Sequence, residues 1–187
     1  MKKHILYLFL TICPATLIIA QEYDFINEVI TSYEKDIPIP LDTIFLNKNF
    51  IALGKNHMKI EYLNKNSFEF WWNDLRKNKP PIELFLKNFS LDHLKLEILK
   101  SQNDSLINFK ALNSYFHSSN QEFIKTHPKN TYLSISKPLF NPNKDWCIIV
   151  KSSYNPFFNA GGGGMLYIFV KVDDKWILYY RFSLWLG

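Results

Sequence analysis

The sequence predicts an α+β domain in which N-terminal helices pack on a C-terminal antiparallel sheet. Two observations carry that reading. An apolar stripe at helical spacing occupies the early part of the chain, with Phe25, Val29, Ile30 and Tyr33 on one face and Glu22, Asn27, Glu28 and Lys35 elsewhere. From Trp146 to the end, apolar runs alternate with turn residues at hairpin spacing.

The first 20 residues read as an export signal rather than as part of the domain. Lys2, Lys3 and His4 form a basic start, Ile5 to Ile19 is almost wholly apolar, and the small residue Ala20 precedes a sharp polar change at Gln21. Cleavage is expected after Ala20, leaving residues 21–187 as a single domain in the periplasm or outside the cell. The apolar run is shorter than a spanning helix requires, and Pro14 interrupts it. Lipidation at Cys13 ranks below plain cleavage, because Ile12 stands where a lipid-attachment signal wants a small residue. No later run has spanning length, so no stable membrane span is expected after the signal is removed.

The elements follow in order. A helix is expected from Tyr23 to Lys35, ended by Ile37-Pro38-Ile39-Pro40. Leu41 to Leu46 reads as a short strand, and His57 to Leu63 as a helix. The aromatic stretch Phe68 to Leu75 fits no single state. After Lys79-Pro80-Pro81, a short helix runs from Ile82 to Phe89. Leu91 to Leu99 mixes two periods and is assigned to strand. Gln121 to His127 forms a short helix stopped by Pro128. Tyr132, Ile135, Leu139 and Phe140 surround a strand broken at Pro138, and Asn141 to Asp145 is a turn by composition. Trp146 to Ser152, Met165 to Val172 and Trp176 to Leu186 make a meander of at least three strands. A two-residue turn at Asp173-Asp174 pairs Val172 with Lys175. That register places Tyr167 opposite Tyr180, and Leu166 and Ile168 opposite Arg181 and Tyr179. Both faces of the hairpin are then largely apolar, so each must be covered or must line a pocket.

Composition excludes several function classes. The 22 basic residues fall by two, Lys2 and Lys3, to about 20 against 17 acidic ones, so the mature charge is about +3. That charge is mild and carried by lysine, with Arg76 and Arg181 the arginines, so no nucleic acid is expected as partner. Cys147 is the one mature cysteine and lies in the apolar run Trp146 to Val150, where it reads as a packed side chain rather than a nucleophile. Gly161 to Gly164 lacks the following helix and the Lys-Ser/Thr pair of a phosphate cradle. The histidines lack the clustered spacing of a zinc site. His57 and Glu61 read as a solvated pair, and Phe68, Phe70, Trp71 and Trp72 as core. No catalytic residue, metal ligand or cofactor is predicted.

The segments Ser136-Lys137-Pro138-Leu139-Phe140-Asn141, Trp146 to Val150, Gly161 to Gly164, Lys175-Trp176 and Phe182 to Trp185 resemble a recurrent C-terminal pattern of small exported bacterial proteins of uncharacterised function. The resemblance covers the last third of the chain and implies export and a β-sheet domain, without an activity. Members often carry a cysteine pair around the glycine-rich loop, and Tyr154 to Ala160 has none. A charged turn followed by Lys-Trp and a closing aromatic strand is also similar to cone-shaped domains of the nuclear transport factor 2 kind, a fold-level likeness.

The expected function is a non-enzymatic module that binds a protein, an envelope component or a small ligand, with Tyr167, Tyr179 and Arg181 as the polar handles of an apolar pocket. The alternative is a small hydrolase with its site in that pocket on a cone-shaped fold.

Overall fold

The computed structural model describes residues 21–30, 44–53, 80–101, 105–127, 129–154 and 164–185. The expected export signal, the expected helix stop at Ile37 to Pro40, the expected helix at 57–63, the aromatic stretch 68–75 and most of the loop before Gly164 lie outside the described residues.

Among the described residues the chain builds a seven-stranded sheet with helices on both faces. The elements are α1 (21–30), β1 (Ile44–Asn47), α2 (Ile82–Asn88), α3 (Leu91–Lys100), β2 (Phe116–Ser119), α4 (Gln121–Thr126), β3 (Tyr132–Ile135), β4 (Leu139–Phe140), β5 (Trp146–Tyr154), β6 (Gly164–Val172) and β7 (Lys175–Trp185). Strand order is β2-β1-β3-β5-β6-β7, with β4 also paired to β5. The pairs from β3 onward are antiparallel, as expected, while β1 lies parallel to both β2 and β3.

Strand β5 shows how the two faces arise. Trp146, Ile148 and Val150 project to one side, and Cys147 and Ile149 to the other. The first side packs under α2 and α3, where Phe85 and Phe89 stack with ring centroids 5.8 Å apart and Leu94 and Ile98 complete the cover. The second side packs under α1 through Phe25, Ile26, Val29 and Ile30. Phe25 sits edge-on to both Phe169 and Trp176, at 5.5 and 5.0 Å. Polar ties hold α1 in place. Tyr23 Oη accepts from the Asn108 N–H at 2.7 Å, Asn27 Oδ1 accepts from the Asn113 N–H at 2.9 Å, and Glu28 Oε1 accepts from the Trp176 N–H at 2.8 Å.

β3 and β4 are two halves of one strand. The break falls at Ser136-Lys137-Pro138, where proline has no N–H to give. Ser136 repairs the ladder. Its N–H reaches the Val150 carbonyl at 2.8 Å, and its Oγ accepts from the Val150 N–H at 2.9 Å. The turn after β4 is held by buried Asn141. Its Oδ1 accepts from the N–H groups of Asp145 and Trp146, and its Nδ2 donates to the Asn88 carbonyl and to Asp145 Oδ1.

Leu91 to Leu99, expected as a strand, is the helix α3. Ser90 caps it, its Oγ accepting from the His93 N–H at 3.2 Å. Leu94 and Ile98 supply the buried stripe four residues apart. Leu96 and Leu99 are half exposed, at 50 % and 53 %, and it is these surface leucines that blur the period in the sequence.

The predicted turn and the pairing of Val172 with Lys175 are present. Asp173 and Asp174 both have positive φ, 48° and 61°, the signature of a two-residue hairpin turn that matches strand twist. The faces of the hairpin differ from expectation. A bulge between Ile168 and Phe169 leaves Tyr179 as an extra residue on β7, so Ile168 pairs with Tyr180 and Tyr167 with Arg181. Tyr180 and Phe182 therefore join the side under α2 and α3.

Candidate functional site

A small cleft lies between α1 and the sheet. Val29 and Ile30 form its roof. Ile135, Ile149, Lys151, Tyr167 and Phe169 form its floor. Strand alternation explains the set: Ile149 and Lys151 are two apart on β5, Tyr167 and Phe169 two apart on β6, and Ile149 pairs directly with Tyr167. The Tyr167 and Phe169 rings run nearly parallel, 6.3 Å between centroids. Lys151 Nζ stands 6.0 Å from the centroid of the Tyr167 ring, at the outer reach of a cation–π contact. Arg181, half-buried, lies directly across β7 from Tyr167.

The cavity volume is about 20 Å³. That is room for one water-sized group or the tip of a side chain, well below the several hundred Å³ of a small-molecule site.

Of the three handles expected from sequence, Tyr167 lines this cleft, Arg181 pairs with Tyr167 across the β6–β7 ladder without lining it, and Tyr179 lies apart from both. Tyr179 packs edge-on against Trp146 at 4.8 Å on the opposite face, and its hydroxyl donates to the Pro81 carbonyl at 2.9 Å. The bulge at Tyr179 causes the separation, because it shifts the register between Tyr179 and Arg181. Lys151 joins the site although the sequence reading passed over it. Its signal was present: it follows Cys147 and Ile149 at period two.

The other titratable groups stand apart from the cleft lining. Cys147 is fully buried, and burial pushes its thiol well above its ordinary value, with the charge of Glu22 adding to the rise. Glu22, on the first turn of α1, has its carboxyl raised by burial, partly offset by Lys137 and reinforced by Glu97. His93 Nε2 donates to the Phe140 carbonyl at 2.9 Å and ties α3 to β4. His117 leans on Phe45, and His127 stacks on Phe123 at 4.1 Å. His57 and Glu61 lie outside the described residues. Among the described residues, no three His, Cys, Asp or Glu side chains gather as metal ligands, and no helix is long and apolar enough to cross a membrane. Gly164 opens strand β6, and the preceding glycines lie outside the described residues.

No protein-family model, curated protein or solved structure matches the chain.

Proposed function

We propose that this protein is an exported, non-enzymatic interaction module whose cleft between α1 and the sheet receives an apolar side chain of an envelope protein. The observation that carries the reading is the lining itself. Five aliphatic or phenyl side chains from both layers meet at an opening whose titratable groups are Lys151 and Tyr167. An apolar pit of this size fits an anchor side chain better than a free ligand. The lysine, on a domain of net positive charge, favours acidic residues flanking that anchor. The basic start, apolar run and Ala20 support export, and the C-terminal resemblance to small exported proteins agrees with it. The hydrolase alternative needs two converging acid–base groups in the pocket, and the lining offers a lysine and a phenol.

The test is co-purification from the native envelope fraction. A species retained by the wild-type chain is expected to be lost with Lys151→Glu and kept with Lys175→Glu, exposed at the start of β7. Both variants must melt at the wild-type temperature. Equal retention by all three chains contradicts the reading.

A further inference from the structure

We propose that export leaves Gln21 as the first residue and that Gln21 then closes to a pyroglutamate lactam, so the mature domain begins with a blocked, uncharged N-terminus. The inference rests on the export reading and adds a covalent modification to it. Three features converge on Gln21. It follows the predicted cut after Ala20. It stands first among the described residues of its helix and is half-buried, and the cut would leave its side-chain amide within reach of the freed amine. Its helix is docked from the first turn, with Tyr23, Phe25 and Ile26 already in the core.

The chemistry needs no co-reactant. The uncharged α-amino nitrogen of Gln21 attacks its own side-chain Cδ. The N–Cδ bond forms, the bond from Cδ to the amide nitrogen breaks, and that nitrogen leaves as ammonia after taking up the proton the amine gives up. The product is a neutral five-membered lactam. Two physical consequences favour it. An α-ammonium at residue 21 would place positive charge against the positive end of the helix dipole, and the lactam removes that charge. An open amine would also let an aminopeptidase remove Gln21 and Glu22 and reach Tyr23, whose ring and hydroxyl help hold α1 to the sheet. The lactam is not a substrate for such trimming.

The experiment is intact mass and N-terminal sequencing of the chain secreted by its own cells, alongside Gln21→Ala. The expected wild-type product spans 21–187, is lighter than that chain by one ammonia, and gives no sequence until pyroglutamate is enzymatically removed. The Gln21→Ala product has its unmodified mass and sequences directly. A wild-type chain that starts at Gln21 with unmodified mass overturns the lactam alone and leaves export standing. An uncut chain overturns both, and a cut at another position overturns the lactam together with the predicted site.

Discussion

At the scale of single residues, burial governs the chemistry of Cys147 and Glu22. Cys147 has no exposed surface and sits among Ile149, Phe169 and Ile135 on the side under α1. Its neutral thiol is favoured in the fold, so the stability it contributes is full below its ordinary value of 9.0 and declines as pH rises above it. Wild-type protein is expected to lose denaturant midpoint between about pH 9 and 10, and Cys147→Ala to lose less. Thiol labelling of the native protein should be slow and should become fast once denaturant is added. Rapid native labelling would contradict the burial. Glu22 works in the same direction at lower pH. Its carboxyl is raised from 4.5, so stability linked to the protonated form is present below that value and lost as pH climbs through the folded value. Glu22→Gln is therefore expected to melt higher than wild type at pH 7 and at the same temperature at pH 4. A lower melting temperature at pH 7 would show that the attraction to Lys137 outweighs burial.

At the scale of elements, the helix α3 separates local signals from tertiary ones. Ser90→Ala removes the cap and is expected to cost about 1 kcal/mol. Ile98→Ala opens a hole under the sheet and is expected to cost about 2–5 kcal/mol. Leu99→Ala, at a half-exposed position, should change stability by less than about 0.5 kcal/mol. Thermal or urea unfolding of the three variants checks the order, and comparable losses from Leu99→Ala and Ile98→Ala would contradict the helical register. The hairpin gives a second case. Asp174 holds a left-handed φ that suits glycine, so Asp174→Gly should raise stability by about 0.5–1 kcal/mol. The lost Lys171–Asp174 pair, 3.1 Å but largely solvated at the aspartate, offsets little of that gain.

These elements also show what the sequence could convey. The turn at Asp173-Asp174 and the run Trp146 to Val150 carry local chemistry and were readable. The β7 bulge was not, because nothing in Leu178-Tyr179-Tyr180 marks where an extra residue enters. That one residue decided which handles share a face. Strand β2 passed unseen because His117 and Ser118 are exposed and only Phe116 and Ser119 are buried. Its parallel pairing with β1 is a long-range event that no local pattern records. The identity of α3 was hidden by Leu96 and Leu99, which are apolar yet turned to the surface.

At the scale of the whole molecule, a sheet apolar on both sides is sandwiched between α1 and the α2–α3 pair, and the cleft lies between α1 and the sheet. The side under α2 and α3 is filled by Phe85, Phe89 and Trp146. The side under α1 is filled around Phe25, and Val29 and Ile30 meet Tyr167 and Lys151 at the cleft. The central claim is that a partner's apolar side chain enters there. Its most direct test is a photo-crosslinking phenylalanine derivative placed at Tyr167 in the chain produced by its own cells, with the same group at exposed Ile177 as control. The account predicts one envelope protein crosslinked from position 167 and not from 177, through a segment carrying an apolar residue beside acidic ones, and loss of that crosslink with Lys151→Glu. Crosslinking that is equal from both positions, or absent from 167 under conditions where the partner is retained, would contradict it.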